Sequence, residues 1–221
     1  MEKKAVERGQ IEKELLEKHQ VIIGIDEVGR GCLAGPIYAA SVQLDYEKLF
    51  ALDEKDRNLI RDSKKLSHKQ RQKIIPVILE ISLQAHICSS SVREIESIGI
   101  VGANFRAMRR SIRLCTEQPD IIILDGNARL PRYKGPQKVV VGGDSLCYSI
   151  AAASILAKEA RDSYMRKQGL KYPEYDFDSN MGYGTKAHLT GISDHGICPL
   201  HRKNFGPVTR YIQEHGLEST R

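Results

Sequence analysis

The stretch Pro119-Asp120-Ile121-Ile122-Ile123-Leu124-Asp125-Gly126 constrains this chain more than any other. Four consecutive apolar residues between acids leave no polar alternation, which is the pattern of a strand covered on both faces. Two more apolar runs behave alike. "VIIGIDE" from Val21 ends in Asp26 and Glu27, and "KVVVGGDS" from Lys138 ends in Asp144. "PIYAASVQL" (Pro36–Leu44) and "LQAHICSSS" (83–91) read as further strands. Helices are expected from Ser67, where Ser67-x-x-Gln70 forms a capping box, and from Ser91, where Ser91-x-x-Glu94 forms another. "GANFRAMRRSIRLC" continues helical. "SIAAASILAKEARDSYMRKQ" is the strongest helix, and its small residues Ala151–Ser154 suit close packing on a sheet. Strands first, then helix and strand mixed, predict an α/β fold: a mixed β-sheet flanked by helices, with a helical C-terminal extension.

The expected organisation has three parts. Residues 1–20 form a polar N-terminal helical appendage with Ile11, Leu15 and Leu16 on one face. Residues 21–168 form the main α/β domain. Residues 169–221 form a loop and helical segment packed on it. The chain has 221 residues, enough for a core without covalent staples. Five cysteines, an odd number with no C-x-x-C, argue against a disulfide framework or zinc site and fit a reducing cytoplasm. No apolar stretch is long enough to span a bilayer. The net charge of +6, in clusters such as "RDSKK", "RAMRRSIR" and "HRKNFG", favours a polyanionic partner.

A single strand-end aspartate is usually a turn former or helix cap. Three strands ending in acids are harder to explain that way, because α/β folds place sites at strand ends. If the ends converge, Asp26, Glu27, Asp125 and Asp144 share a small volume and cannot all ionise without counter-charge. Carboxylate oxygens suit Mg²⁺ or Mn²⁺. Two such ions about 4 Å apart form the clamp used in phosphodiester hydrolysis.

"GRGCLA" (Gly29–Ala34) matches the dinucleotide pattern G-x-G-x-x-G/A, but three facts exclude it. Asp26 and Glu27 would repel a pyrophosphate, Gly35-Pro36 stops the helix that should cap it, and a strand follows in place of a crossover helix. The glycines then either only turn the chain or bring backbone close to a substrate.

Taken in order, "GIDEVGRGCLAGP", "DSKKLS", "ILDG", "GGDS…IAAASILAKEARD", "GYGTKAH" and "HRKNF" resemble the ribonuclease HII family from about Val21 to Phe205. The resemblance implies an RNase H-like sheet. It also implies a metal-dependent endoribonuclease that cleaves the RNA strand of RNA–DNA hybrids and incises duplex DNA 5′ to embedded ribonucleotides, leaving 3′-hydroxyl and 5′-phosphate ends. Its catalytic acids match Asp26, Glu27, Asp125 and Asp144, with Asp26 bridging two ions, Glu27 and Asp125 on one, and Asp144 on the water-side ion. The backbone of Gly29-Arg30-Gly31 would contact the ribose 2′-OH, the group that separates RNA from DNA. Tyr183 would pack on the neighbouring sugar. Lys64, Lys65, Thr185, Lys186 and Arg202 are candidate phosphate contacts, each also readable as solvated surface. The implied partners are the hybrid and the ribonucleotide-containing duplex, bound by a monomer. The rival reading is a non-catalytic nucleic-acid-binding module on the same fold. His188 and His201 read as structural. The chain departs from the family at Cys32 (usually proline), at Gly142 (commonly lysine), at Asn180-Met181 (usually a basic pair) and at "LCY" after Ser145.

Overall fold

The computed structural model describes residues 7–216, so the first six residues of the expected N-terminal helix lie outside it. The chain runs α1 (Gln10–Leu16), β1 (Ile22–Val28), β2 (Ile37–Leu44), α2 (Tyr46–Ala51), α3 (Glu54–Leu59), α4 (His68–Glu80), β3 (Ser82–Ser90), α5 (Val92–Arg113), β4 (Ile121–Asp125), β5 (Gln137–Val140), α6 (Gly143–Leu146), α7 (Tyr148–Gly169), α8 (Phe177–Asn180), α9 (Lys186–His195) and α10 (Gly206–Glu214). The five strands form one sheet in the order β3-β2-β1-β4-β5. β1, β2 and β3 pair antiparallel, while β4 lies parallel to both β1 and β5.

Each face of the sheet has its own core. On one, Ala40, Val42 and Leu44 of β2 meet Ile74 and Ile78 of α4 and the buried alanines 151–153 of α7. On the other, Ile23, Ile25, Ile37 and Ala39 meet Ala103, Ala107, Met108 and Ile112 of α5. Ile22, Ile121, Ile123 and Ile150 form a third cluster, against which Ile11 and Leu15 of α1 pack. Close approach of α7 depends on Gly24 of β1, because a Cβ there would collide with the backbone of Ser149 and Ile150.

Both capping boxes form, at Ser67/Gln70 and at Ser91/Glu94. Three details differ from the expectation. β1 does not end at Asp26 but runs on to Val28, because Glu27 and Val28 as well as Asp26 pair with β2, opposite Ala39, Tyr38 and Ala40. Asp144 is not at a strand end. β5 stops at Val140, the chain turns at Gly142 in the left-handed region (φ 66°), and Asp144 lies in the first turn of α6. The helix from Ser91 is broken at Gly99, whose φ of 74° and ψ of 163° are not helical.

The segment after α7 is stitched to the turn that follows β1. The amides of Leu33 and Ala34 donate to the Gly182 carbonyl, and the Arg202 amide donates to that of Leu33. Tyr175, Phe177, Ile192 and Val208 bury against Leu33, Ala34 and Met165. The "GRG" turn and the "GYG" turn are therefore neighbours, far apart in sequence though they are.

Candidate active site

Three carboxylates converge where β1, β4 and α6 meet. One oxygen each of Asp26, Asp125 and Asp144 lies within 4.8 Å of the others, the one such group of potential ligands among the described residues. Asp26 projects from β1 toward α7, where nearby Ser154 favours its charged form, and its Oδ1 accepts from the Glu27 amide at 2.7 Å. Ser154 Oγ is in turn 2.9 Å from Ser63 Oγ. Asp125 Oδ1 accepts from the Gly143 amide at 2.7 Å, so the end of β4 fixes the turn that carries Asp144. Glu27 stands apart from the three. Successive strand residues face opposite sides, and its Oε1 is 3.1 Å from Arg30 Nη1.

The electrostatics are those of an unneutralised cluster. Burial pushes the Asp26 carboxyl well above its ordinary range, and the charges of Glu27 and Asp125 add to the rise, with Ser154 and the Glu27 amide opposing. Asp144 is raised by burial, then by Asp62 and Asp125, with Lys64 opposing. An all-oxygen, like-charged, largely buried donor set fits a hard divalent cation, since a cation removes the repulsion and meets no nitrogen or sulfur ligand.

Beside the acids the "GRG" loop is held from behind. Arg202 is fully buried and donates to the carbonyls of Gly29 (2.7 Å), Arg30 (3.0 Å) and Gly35 (2.9 Å). This corrects the expectation that Arg202 reaches phosphate: its guanidinium is used up on backbone and has no exposed surface. No peptide bond in the described chain is cis. In a trans peptide the N–H points opposite to the C=O. With the Gly29 and Arg30 carbonyls turned inward, the amides of Arg30 and Gly31 point away from Arg202.

Arg161 was not singled out in the sequence, although "AKEARD" contains it. It donates to Pro36 O (3.0 Å), Ala34 O (3.1 Å) and Met181 O (2.9 Å), pinning the "GRG" turn to the "GYG" turn. Its signal was helical spacing: Ser154, Ala157, Arg161 and Met165 share the buried face of α7. The structure also gives Asn180, at a departure from the family, a local role. It is buried, donates to Tyr175 O at 2.6 Å and accepts from the Gly182 amide at 2.7 Å.

Tyr183 is 40% exposed at this junction, where burial and then the nearby Cys32 raise its hydroxyl. Its carbonyl is fixed by a histidine relay. The Cys198 amide donates to His201 Nδ1 at 2.9 Å, so His201 donates through Nε2 to His188 Nε2 at 3.0 Å. His188 then donates through Nδ1 to Tyr183 O at 2.9 Å. The assignment follows from the network. Burial lowers both histidines, and His201, next to His188, titrates at about 4.

The remaining predicted contacts are exposed. Lys64 and Lys65 are exposed in the 3-10 turn Ser63–Lys65, with Lys65 Nζ 3.9 Å from Asp62. Thr185 caps α9 by accepting from the His188 amide, and exposed Lys186 opens that helix. No helix among the described residues is long and apolar enough to cross a membrane.

The Ribonuclease HII family model matches residues 23–208, which takes in every site residue above but not α1. Ribonuclease HII of Idiomarina loihiensis is 45% identical over 192 residues, covering 87% of this chain and 98% of that one. The ribonuclease H2 of Pyrococcus horikoshii OT3 shares the fold with a TM-score of 0.74 at 20% identity, over 90% of this chain and 100% of that one. Bst-RNase HIII, solved in complex with Mn²⁺, shares it with a TM-score of 0.64 at 19% identity, over 88% of this chain and 70% of that one.

Proposed function

The chain belongs to the ribonuclease HII family and is a ribonuclease H endonuclease; from that premise we propose that Asp26, Asp125 and Asp144, joined by Glu27, hold two divalent cations, Mg²⁺ or Mn²⁺, and that the enzyme cuts on the 5′ side of a ribonucleotide. The substrates are the RNA strand of an RNA–DNA hybrid and duplex DNA with embedded ribonucleotides. The observation that carries the reading is the trio of carboxylates within 4.8 Å beside outward-pointing glycine-loop amides. When bound, the ions supply the Lewis acidity that activates water and stabilises the leaving 3′ oxygen.

The chain's own residues do the rest. Asp26 is the central ligand in this reading, as the most buried of the three converging acids. The amides of Arg30 and Gly31 bind the 2′-hydroxyl, and Arg202 and Arg161 keep them aimed. Tyr183 packs on the adjoining sugar, where an added hydroxyl would clash. Lys64, Lys65, Thr185 and Lys186 contact the phosphates, and Arg202 is withdrawn from that set. The products carry a 3′-hydroxyl and a 5′-phosphate.

The test is cleavage of a DNA duplex with one embedded ribonucleotide, in Mg²⁺ or Mn²⁺. A single cut 5′ to the ribonucleotide is expected. Tight binding without a cut would favour the non-catalytic module instead. Tyr183→Ala should lose about ten- to a hundredfold in rate on that substrate, the equivalent of one stacked contact of roughly 1–3 kcal/mol. Unchanged rates would make Tyr183 a packing residue only.

A further inference from the structure

On the face of the sheet away from α7, Arg106, Arg109, Arg110 and Arg113 of α5 and Arg132 of the loop after β4 line a cavity of about 280 Å³. The four helical arginines pair three apart (Arg106 with Arg109, Arg110 with Arg113) and four apart (Arg106 with Arg110, Arg109 with Arg113), and so share a face. Like charges at that spacing destabilise a helix rather than support it. Glu94 is the only carboxylate that pairs with them among the described residues. It bonds Arg106 at 3.0 Å and Arg110 at 2.7 Å, and they hold its carboxyl down to about 2. Five guanidiniums thus meet one carboxylate.

Two features show that the cluster is built rather than scattered. Arg109 Nη1 donates to Pro131 O at 3.2 Å, which draws the loop over the helix and sets Arg132 opposite the others. Arg132 itself has a φ of 62°, one of three non-glycine residues in the left-handed region among the described residues. Such a conformation is strained and persists only where its surroundings impose it. Burial lowers Arg109, and the charges of Arg132, Arg113 and Arg106 lower it further, so the repulsion is felt at the cavity wall.

We propose that this cavity is a second anion site, separate from the acid cluster, that takes adjacent phosphate groups. Among the described residues no apolar side chain lines it, unlike the mostly apolar pockets that enclose drug-sized organic ligands. Planar guanidinium forks match phosphate oxygens two at a time, and several converging forks select for several linked phosphates over one small ion. That chemistry is offered by a nucleic-acid backbone or by a free polyphosphate chain. The site does not depend on the metal reading, because it lies on the α5 side and uses none of the four acids.

Titration of the whole protein with inorganic tripolyphosphate, without divalent cations, tests this. Wild type should show one saturable site. Arg113→Gln with Arg132→Gln should weaken it about tenfold or more. Both side chains are exposed and make no hydrogen bond or ion pair among the described residues, so the fold should survive. Removing equal charge elsewhere, by Lys18→Gln with Lys171→Gln, should change it by no more than about twofold, and Asp125→Asn should leave it intact. The same arginine variant on duplex DNA without a ribonucleotide identifies the source. A loss of affinity with a salt slope shallower by about two marks backbone phosphates, and an unchanged duplex affinity marks a free polyphosphate. The proposal is overturned if tripolyphosphate does not saturate, if both double variants lose binding equally, or if Asp125→Asn abolishes it.

Discussion

Glu12 and Asp26 are both buried carboxylates, 0% and 6% exposed, in opposite surroundings. Glu12 accepts from the Tyr148 amide (2.8 Å), the Ser149 amide (2.8 Å), Ser149 Oγ (2.7 Å) and Tyr46 OH (3.0 Å). Those amides belong to the first turn of α7, whose own N-cap, Cys147, makes no side-chain cap. Glu12 therefore supplies, from another helix, the acceptor that an Asn, Asp, Ser or Thr cap would have provided, where the helix dipole also favours negative charge. Asp26 has two donors and two acids close by. Glu12 is thus saturated with donors while Asp26 is left short of them, and under the proposed function a cation fills that deficit.

The sharpest way to break this comparison is to neutralise each acid. Asp26→Asn or Asp125→Asn should reduce cleavage on the order of a thousandfold or more, since metal ions contribute several kcal/mol to such transition states. Duplex affinity should stay nearly unchanged, because phosphate contacts supply most of it. Single-turnover cleavage and equilibrium binding measure the two. Wild-type rates in either variant would remove the acid cluster from the chemistry.

Stability should rank the two carboxylates the other way. Glu12→Ala leaves two buried amides and two hydroxyls without an acceptor and should cost about 4 kcal/mol in denaturant unfolding. Asp26→Asn removes repulsion and should be neutral or stabilising. If Glu12→Ala costs under about 1 kcal/mol, water replaces the carboxylate and the cap is dispensable.

How legible these two regions were differs for the same physical reason. β4, the long helix α7 and both capping boxes could be read because their signals are local: an apolar run, a stripe of small residues, a Ser three residues before Gln or Glu. The convergence of Asp26, Asp125 and Asp144 could be read because each follows an apolar run, although Asp144 lies past the turn at Gly142 that stops β5 and Glu27 does not join them. Glu12 could not. In "QIEKELL" it looks like any solvated charge, and its partners are 136 and 137 residues away. Arg202 failed likewise. "HRKNF" reads as basic surface, and only the folded chain shows three carbonyls converging on that guanidinium.

Acid pH should separate the unsatisfied cluster from the satisfied interior by about 3 kcal/mol or less. His201 in the folded chain titrates at about 4, below the 6.5 of an ordinary histidine. The unfolded chain binds more protons between those values. The stability of the neutral His188–His201 relay is therefore whole above about pH 6.5 and is lost as pH falls toward 4. Asp26 and Asp144 act oppositely. Their raised values mean an unfavourable contribution at neutral pH that is relieved as pH falls through their folded values. Asp26→Asn with Asp144→Asn should thus start higher at pH 7 and decline more steeply from pH 6.5 to 4 than wild type. Parallel unfolding curves across that window would mean that neither burial nor the neighbouring acids raise these carboxyls in the folded chain.

The smallest effect is the most direct measure of the deficit at Asp26. A cation that binds only the folded cluster stabilises it by linkage, about 1.4 kcal/mol at ten times its dissociation constant. For a chain of this length that is roughly 3–6 °C in Tm. Glu12→Gln should lower Tm yet keep the full metal-induced rise, since its donors are amides and hydroxyls that no cation can satisfy. Asp125→Asn should lose most of the rise, because it removes one of three converging ligands. The metal giving the larger rise at equal concentration, Mg²⁺ or Mn²⁺, is the one the cluster prefers. An undiminished rise in Asp125→Asn would place the ions elsewhere on the protein, and Asp26 would then be a second structural carboxylate, poorly satisfied but not waiting for a metal.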